Sequence, residues 1–438
     1  MSAAEVPEYG AVVIVGAGQA GAEVATELRS CGYTGTLTLV HEEEGVPYAR
    51  PPLSKAYLLG AVTEADLAIR PASIYDEQRI EILSGTVDSI DRANRRVRLH
   101  DGRELSYDAV VLATGGRPQR LAGCDIERAP NVHYLKTLPD ATALKKNLRT
   151  SSKLVIVGGG YIGLEAAAAA RQLGLQVTVL EAQPRLLARV TSEPVSDFYQ
   201  RLHESRGVDI HLAAQIVSFE FGVGGQVTAV KLADGERVAC DVLLVGIGQQ
   251  PRTELAEVAG LAVTEGVLVD AACRSSDLRI LAIGDCARQP CGADRTLRRI
   301  ESVDNALQQA RVAAAALTGK PLPVRAAPWF WSNQFDARLQ SVGIYTPHCE
   351  RVVRGDPQTD SSFSVWYLKA GVLVAADVVS SPRDFAAARR LVGGGVSVTA
   401  SKLADTSVPL NHLATNATNA TCAASQVPSN SNSIQVSV

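Results

Sequence analysis

The chain has 438 residues, of which 46% are hydrophobic and 20% charged, a composition typical of a globular protein of about three domains. The formal net charge of −3 gives no reason to expect nucleic acid or an anionic membrane as a partner. No apolar run reaches the roughly 18 residues of a membrane span, and the start MSAAEVPEYG does not resemble a secretion signal, so we expect a cytoplasmic protein. Eight scattered cysteines favour reduced thiols over a disulfide framework.

Two segments, residues 11–40 and residues 154–181, share one strand–helix–strand pattern. In each, a short apolar strand typical of a buried parallel sheet leads into a glycine turn, GAGQAG in the first and GGGYIG in the second. The spacing G-x-G-x-x-G lets a pyrophosphate approach the backbone at a helix N-terminus, where the phosphate charge is stabilised. The glycines with this spacing are Gly16, Gly18 and Gly21 in the first segment and Gly158, Gly160 and Gly163 in the second.

A dinucleotide fold also requires an acid after its second strand to bind the ribose hydroxyls. In the first segment Glu42 and Glu43 both qualify, and we prefer Glu42 because it lies nearer the strand end. In the second segment Glu181 occupies this position and would repel a 2′-phosphate, which favours NAD over NADP. Arg185 lies four residues further on, so NADP stays open as the alternative.

Two dinucleotide motifs in one chain predict a tightly bound redox cofactor and an exchangeable nicotinamide, a combination that moves a hydride from NADH onto a flavin. Three further strands end in glycine turns, and an alanine-rich helix and a linker follow them. These segments are residues 108–116, 241–248 and 278–287, the helix at residues 305–317 and the linker at residues 318–323.

The composition changes again near the C-terminus. From Ala327 onward, the tryptophan-rich PWFW and the alternating strand FSVWYL predict a separate α+β domain. The tail after Leu413 is rich in Ser, Thr and Asn, and we expect it to be disordered. We expect its two glycosylation sequons, at Asn416 and Asn419, to be unmodified.

The sequence gives little support for thiol or metal chemistry. Residues 45–58, which follow the first motif, contain no cysteine. Cys286 and Cys291 have a spacing that a redox pair could use, but we expect structural thiols there. His203 and His211 do not share a helical face, and no other metal-ligand spacing is present. The final acceptor is therefore expected to take electrons directly from the flavin.

In this order along the chain, GAGQAG, PYARPPLSKAYL, VVLATGGRP, IVGGGYIGLE, LLVGIG, ILAIGD, RIESVDNA and APWFWSNQF resemble the FAD-dependent NADH:ferredoxin reductases of bacterial oxygenase and cytochrome P450 systems. The resemblance implies an α/β, glutathione-reductase-like fold with FAD and NAD domains and a C-terminal α+β domain. The implied FAD domain comprises residues 1–118 and 245–326 and is interrupted by the NAD domain at residues 119–244. The C-terminal domain would then occupy residues 327–412 and the tail residues 413–438.

The resemblance also implies roles for individual residues. Lys55 and Glu165 would be catalytic: Lys55 would hydrogen-bond the flavin, and Glu165 would either contact the nicotinamide or pair with Lys55. The implied FAD ligands are Gly16, Gly18, Gly21, Glu42, Arg50, Lys55, Thr114, Gly115, Arg117, Gly284, Asp285, Glu301, Ser302 and Val303. The implied NADH ligands are Gly158, Gly160, Tyr161, Ile162, Gly163, Glu165, Glu181 and Gly248, with Tyr161 as a gate to the nicotinamide slot and Trp331 beside the cofactor or acceptor face.

The implied partner is an acidic [2Fe-2S] ferredoxin that supplies a cytochrome P450 or another oxygenase, and the implied assembly is a monomer or weak homodimer. Basic residues would dock the ferredoxin, with Arg298, Arg299 and Arg311 as candidates. Two alternatives stay open at this point. One is a flavin NADH oxidase or peroxidase, and the other is an NADH-responsive redox sensor.

Overall fold

A computed structural model describes residues 9–122, 126–292 and 295–413. The expectations for the disordered tail and for Asn416 and Asn419 lie outside these residues. The chain forms two compact units that meet in sequence at Ala337 and Arg338. In the described residues, no helix is both long and apolar enough to cross a membrane.

The first unit contains most of the strands and helices. Its strands are β1 (Ala11–Val15), β2 (Thr36–His41), β3 (Glu81–Ser84), β4 (Val87–Asp91), β5 (Arg96–Leu99), β6 (Glu104–Ser106), β7 (Ala109–Leu112), β8 (Gly116–Pro118), β9 (Val132–Tyr134), β10 (Lys153–Val157), β11 (Gln176–Leu180), β12 (Val208–His211), β13 (Ile216–Phe221), β14 (Val227–Leu232), β15 (Arg237–Ala239), β16 (Val242–Val245), β17 (Gln249–Pro251), β18 (Val267–Leu268), β19 (Ile280–Ala282), β20 (Ala287–Cys291), β21 (Thr296–Arg299) and β22 (Trp329–Gln334). Its helices are α1 (Gln19–Ser30), α2 (Ala56–Leu59), α3 (Ala72–Glu77), α4 (Leu138–Leu148), α5 (Tyr161–Gln172), α6 (Glu193–Ser205), α7 (Glu254–Val258) and α8 (Val303–Thr318).

Two parallel sheets organise this unit. The first has the order β19-β7-β1-β2-β3, and the second has the order β12-β11-β10-β16-β9. The apolar runs of β1 and β10 lie near the middle of their sheets and are almost completely buried, because both faces of each sheet are covered. Helices cover one face, and strand residues such as Val97 on β5 and Val230 on β14 belong to the core on the other. In each sheet the glycine turn therefore opens at the carboxyl end of a central strand, where open α/β sheets bind ligands.

The chain enters the second sheet and returns to the first. After β7 it runs through β8 into the second sheet, and after β16 it returns through β17, which pairs antiparallel with β8. β19 then adds to the first sheet beside β7. Helix α8 packs with α1 in the core of the first sheet, where alanines such as Ala310 and Ala313 allow close approach to Val24 and Leu28.

Small sheets, which the glycine and strand motifs did not predict, complete the first unit; two are antiparallel, and one is mixed because β18 pairs in parallel with β20. They are β4-β5-β6, β13-β14-β15 and β18-β20-β21. Their strands are short, and several alternate buried with exposed residues, as expected of sheets with one face in water. They flank the parallel sheets in sequence without interrupting the glycine turns.

The second unit is an α+β domain. Its strands are β23 (Ala337–Gly343), β24 (Glu350–Arg354), β25 (Phe363–Lys369) and β26 (Val372–Val379), in the antiparallel order β23-β26-β25-β24, and its helices are α9 (Pro382–Gly393) and α10 (Ala400–Ala404). The predicted strand FSVWYL is β25, whose Phe363, Trp366 and Tyr367 are among the largest fully buried side chains. The predicted fold class, two parallel α/β folds with a C-terminal α+β domain, is confirmed.

One acidic group lies in the core of the second unit. Asp377 on β26 is 1% exposed and accepts hydrogen bonds of 2.6 Å from the Ser341 hydroxyl and from the Tyr367 phenol. Burial nevertheless raises the pKa of Asp377 to about 6, because the hydroxyl donors offset only part of the lost hydration of a carboxylate.

This carboxyl predicts a pH-dependent stability. Between pH 4 and 6 the unfolded chain releases the Asp377 proton that the folded state retains, so stability falls as pH rises through that window. Relative to Asp377→Asn, the wild type should lose on the order of 1 kcal/mol of unfolding free energy between pH 5 and pH 7.5. Urea unfolding at both pH values measures this difference, and parallel pH profiles of the two proteins would contradict it.

Candidate active site

The first glycine turn leaves room for a ligand in front of α1. Gly16 has φ +104°, a left-handed conformation that favours glycine, and a side chain there would overlap the Ala113 carbonyl. A side chain on Gly21 would overlap the Gly16 carbonyl, so this glycine permits close packing of α1 on the turn. Gly18 is different, because a Cβ atom there would meet no atom within 4 Å.

The second turn repeats this geometry. Gly158 has φ +107° and faces the Gly246 carbonyl, Gly163 faces the Gly158 carbonyl, and Gly160 faces open space. Among the described residues, no side chain caps α1 or α5, and neither helix has an acid in its first turn. Each helix thus offers unpaired N–H groups and a positive dipole end, the environment that a pyrophosphate requires.

The two predicted acids have different partners. Glu181 accepts hydrogen bonds from the backbone N–H groups of Gly159, at 2.6 Å, and Gln183, at 2.7 Å, which fix it beside the second turn. Glu42 forms an ion pair with Arg252, and this hydrogen bond lowers the pKa of Glu42. Glu43, the other candidate of the first unit, pairs instead with Arg50 at 2.9 Å.

Arg185, which kept NADP open as an alternative, forms hydrogen bonds with nearby residues of its own segment. Its guanidinium donates to the Thr191 carbonyl at 2.8 Å, the Ser196 hydroxyl at 2.6 Å and the Ala188 carbonyl at 2.8 Å. A 2′-phosphate would have to compete with these bonds. The geometry therefore favours a nucleotide without that phosphate.

A buried ion pair connects the segment after the first motif with the helix of the second. The Lys55 ammonium lies 2.5 Å from Oε2 of Glu165, whose side chain is only 5% exposed. The Ser54 hydroxyl donates to the same oxygen at 2.5 Å, and the Ser332 hydroxyl on β22 donates to Oε1 at 2.7 Å. Of the two contacts that the sequence left open for Glu165, the structure contains the one with Lys55.

Asp285 lies in a second polar cluster, at the carboxyl end of β19. Gln249 donates to its Oδ2 at 3.0 Å, and the Lys136 ammonium lies 3.5 Å from the same oxygen. Lys136 also donates to the Gln249 amide oxygen at 2.8 Å, and its carbonyl accepts from Arg50 at 2.8 Å. Arg50 and Asp285, far apart in sequence, are thus brought into one hydrogen-bonded group.

Buried amides fix the turn that carries Asp285. The Gly284 N–H, at φ +73°, donates to the Gln309 side-chain oxygen at 2.7 Å. Gln309 donates to Gln289 at 2.8 Å, and Gln289 donates to Asn305 at 2.7 Å. Arg325, two residues after the predicted linker, donates to Gln289 and, at 3.2 Å, to Asn305. A satisfied network of this kind makes the turn rigid.

The other predicted ligands are more dispersed. Thr114 donates to the Arg252 carbonyl at 2.7 Å, and Gly115 accepts from the Arg252 N–H at 3.0 Å, which joins both to the Glu42 ion pair. Gly248 has φ +114°, and a Cβ atom there would lie 3.1 Å from Arg189. Arg117 forms an exposed ion pair with Glu254, away from these clusters.

Around β22 and α8, the structure places further predicted residues. Tyr161 contacts Phe330, with ring centroids 4.5 Å apart, and Trp331 contacts both Phe330 and Trp329. Ser302 caps α8 by accepting from the Asn305 N–H at 3.0 Å. The remaining residues are Ile162, 43% exposed, the partly buried Val303, and Glu301, which pairs with Arg299.

Cys286 and Cys291 show no sign of a redox pair. Neither is in a disulfide, and Cys286 is fully buried, which raises the pKa of its thiol. Cys286 lies just before β20 and Cys291 is its last residue, so at about 3.3 Å per residue their Cα atoms lie roughly 16 Å apart, too far for a disulfide. Within the described residues, no group of three acids, histidines or cysteines could hold a metal ion.

Several site residues were not predicted from the sequence. Lys136, Gln249 and Arg252 lie in segments without a motif, and only the fold brings them to Asp285 and Glu42. Ser332 did have a signal: within APWFWSNQF, Ser332 and Gln334 are two residues apart, the spacing of residues on one face of a strand, and both are fully buried.

Two glycine turns with uncapped helices, joined by a buried lysine–glutamate pair, define an oxidoreductase with two dinucleotide sites. Residues 10–310 match the family model for pyridine nucleotide-disulphide oxidoreductases, and residues 329–414 match the model for the reductase C-terminal domain. The chain belongs to the pyridine nucleotide-disulphide oxidoreductase family.

Similar proteins narrow this class. Putidaredoxin reductase from Pseudomonas putida is 44% identical over 92% of this chain and 96% of its own length. Rhodocoxin reductase from Rhodococcus erythropolis is 42% identical over 91% of this chain and 93% of its own length. The reductase in the covalent putidaredoxin reductase–putidaredoxin complex is 42% identical, with a TM-score of 0.91 over 93% of this chain and 99% of the other.

The open spaces at Gly18 and Gly160 give a matched pair of tests. Both residues have extended backbone angles, with φ of −74° and −84°, so valine fits the backbone at either position and fills only the ligand space. Gly18→Val should retain less than about a tenth of the bound flavin. Gly160→Val should retain the flavin but need at least about tenfold more NADH for half-maximal reduction.

Flavin absorbance after purification and NADH titration measure both effects. The two variants control for each other, since each should spare the other's ligand. Loss of flavin in both, or in neither, would contradict the assignment of the two turns.

Proposed function

We propose that the chain is an FAD-dependent NADH:ferredoxin reductase that supplies electrons to a cytochrome P450 or another oxygenase through a [2Fe-2S] ferredoxin. The observation that carries this proposal is the buried Lys55–Glu165 pair in a two-dinucleotide framework whose described cysteines form no redox pair. Relatives that match nearly the whole chain are named as ferredoxin reductases, among them terpredoxin reductase and a dioxygenase reductase component, which supports the same function.

The first glycine turn and the clusters around it would hold FAD. Gly18 and the α1 N-terminus would bind the pyrophosphate, and Glu42, held by Arg252, would bind the adenosine ribose. The Thr114–Gly115 turn would lie beside the adenine or pyrophosphate. Arg50, Lys55 and residues 301–303 would lie around the flavin ring, and Asp285 would bind the ribityl or phosphate oxygens, with the remaining implied ligands around them.

The second turn would hold NADH. Gly160, Ile162 and the α5 N-terminus would contact the pyrophosphate, Glu181 the ribose, and Gly248 the nicotinamide half. Tyr161, packed on Phe330, would gate the nicotinamide slot. We also propose the division into FAD, NAD and C-terminal domains given by the resemblance, and a cytoplasmic location.

When bound, FAD would accept a hydride from NADH and pass electrons one at a time to the ferredoxin. The protein's own contribution is electrostatic. The Lys55 ammonium would present a fixed positive charge at the ring. Glu165, whose side chain is 5% exposed, orients that ammonium through the ion pair. Docking of an acidic ferredoxin would use basic residues, and Arg311 and Arg299 already carry intramolecular partners, Glu27 and Glu301.

A preference for NADH over NADPH follows from the Glu181 carboxylate and from Arg185, whose guanidinium is already hydrogen-bonded within its own segment. The wild type should reduce its flavin with NADPH at less than about a hundredth of the efficiency with NADH, because a 2′-phosphate would meet the Glu181 carboxylate. Glu181→Gln should narrow this preference about tenfold. Stopped-flow reduction with both nucleotides measures it. Glu193→Gln, a charge change on the exposed start of α6, is the control, and an unchanged preference in Glu181→Gln would contradict the assignment.

The function itself is tested with the purified flavoprotein, NADH and putidaredoxin. We expect NADH-driven reduction of putidaredoxin, faster than oxygen consumption, with a rate that falls as the salt concentration rises because the encounter is electrostatic. Fast oxygen consumption without ferredoxin reduction would indicate an oxidase, and NADH binding without turnover would indicate a redox sensor. Either result would overturn the proposal.

A double cysteine variant tests whether electrons pass from the flavin to the ferredoxin without a thiol. Cys286→Ala combined with Cys291→Ser should keep the rate of ferredoxin reduction within about twofold, since neither thiol lies on the proposed path. Loss of ferredoxin reduction with the flavin still bound would show that electrons travel through these cysteines.

A further inference from the structure

A line of buried polar side chains continues from the Lys55–Glu165 pair into the protein. The Ser332 hydroxyl, which donates to Glu165, accepts from the Gln334 side-chain amide at 3.1 Å. The Gln334 amide oxygen lies 2.9 Å from Nε2 of His203 on α6. Ser332, Gln334 and His203 are each 0% exposed, so the line is shielded from water along its length.

The alternation of β22 produces this line. Residues two apart on a strand point to the same face, so Phe330, Ser332 and Gln334 share a face. Phe330 meets Tyr161 at the start of α5, Ser332 meets Glu165 one turn later, and Gln334 reaches His203 near the end of α6.

The direction of every hydrogen bond in the line is fixed from one end. The Glu165 carboxylate, paired with Lys55, only accepts, so the Ser332 hydroxyl must donate to it. The Ser332 oxygen then accepts from the Gln334 amide nitrogen, which turns the Gln334 oxygen toward His203. His203 must therefore carry its proton on Nε2.

His203 satisfies this condition. Burial lowers its pKa to about 4, so the ring is neutral at pH 7 and carries one N–H. Nδ1 is a buried atom without a hydrogen-bond partner in the described structure. With the proton on Nε2, the ring leaves only a lone pair unpaired at Nδ1, which costs little free energy. With the proton on Nδ1, it would bury an unpaired N–H and leave two acceptors facing each other at Glu165, which costs more.

We propose that His203, Gln334 and Ser332 are positioning residues for flavin reduction, forming a one-directional hydrogen-bond line that holds Glu165 and thereby aims the Lys55 ammonium at the flavin. This inference rests on the proposed FAD site. Ser332 fixes Oε1 of Glu165, which leaves Oε2 directed at Lys55 and Ser54. His203 acts at a distance, because without its N–H the Gln334 amide is free to flip and draw the Ser332 hydroxyl away from Glu165.

The test uses the flavin-loaded protein and variants at each end of the line. Ser332→Ala removes the donor to Glu165, and His203→Met removes the donor to Gln334 while filling the space with an apolar side chain. Both should lower the limiting rate of flavin reduction by NADH about tenfold, the effect of losing one hydrogen bond. The half-saturating NADH concentration and the flavin content should stay within about twofold, because the dinucleotide turns are untouched.

Two further variants separate positioning from general loosening. His203→Gln, which retains an N–H donor, should recover most of the rate lost in His203→Met. Asp336→Asn breaks the exposed ion pair between Asp336, in the turn after β22, and Arg206, just after α6, which are 2.9 Å apart. This variant changes none of the residues in the hydrogen-bond line. It should leave the rate within about twofold of the wild type. A rate loss in Asp336→Asn equal to that in His203→Met would overturn the proposal in favour of simple structural support.

A spectroscopic readout tests the direction of the line without turnover. In protein labelled with ¹⁵N-histidine, the His203 signals are identified by their loss in His203→Gln. They should show a neutral ring protonated on Nε2 at pH 7, whereas protonation on Nδ1 would overturn the proposal. These measurements use no ferredoxin, so they test this inference independently of the proposed acceptor. If the wild type does not reduce ferredoxin but Ser332→Ala slows flavin reduction by NADH, the proposed acceptor is refuted and this inference stands.

Discussion

The arrangement of the site depends on one buried ion pair, Lys55 with Glu165. Removing Lys55 would leave the Glu165 carboxylate, which is only 5% exposed, without its counter-charge, at a cost of about 3–5 kcal/mol. The surrounding structure therefore has to supply the pair with donors, and Ser54 and Ser332 do so. The segment after β2, the helix after β10 and strand β22 are consequently held in one geometry by a single carboxylate.

Backbone conformation imposes the second constraint. The first glycine of each turn has a left-handed backbone conformation, and the third lets the helix pack against the carbonyl of the first. The second glycine leaves open the space where a ligand would bind. These demands are the same at both turns, so the motif is the same although the residues around it differ. The acids show the difference: Glu181 is bound by backbone N–H groups, whereas Glu42 is bound by a side chain from a distant segment.

Sequence patterns predicted what is local and missed what the topology brings together. The glycine spacing and the apolar strands are set by neighbours within one β-α-β unit, and the predicted strands and turns are present in the structure. The ribose contacts of the acids after them stay predictions, and Glu42 also depends on the distant Arg252. Helix α5 begins at Tyr161, inside the second glycine motif, because the turn itself provides its first residues. Lys136, Gln249 and Arg252 could not be found, since their partners lie far away in sequence. His203 was considered only as a metal ligand, and its role depends on a strand more than a hundred residues later.

The amide network that holds the Asp285 turn determines where residues can be inserted between α8 and β22. Arg325, two residues after the predicted linker, is bonded to Gln289 and Asn305, while residues 319–324 before it are exposed and Val324 is almost fully solvated. Extra length placed ahead of Arg325 would bulge into solvent, whereas the same insertion after residue 326 would fall among the half-buried residues that lead into β22. A redox partner fused into this exposed stretch would therefore stay covalently attached without disturbing the packing around Gly284.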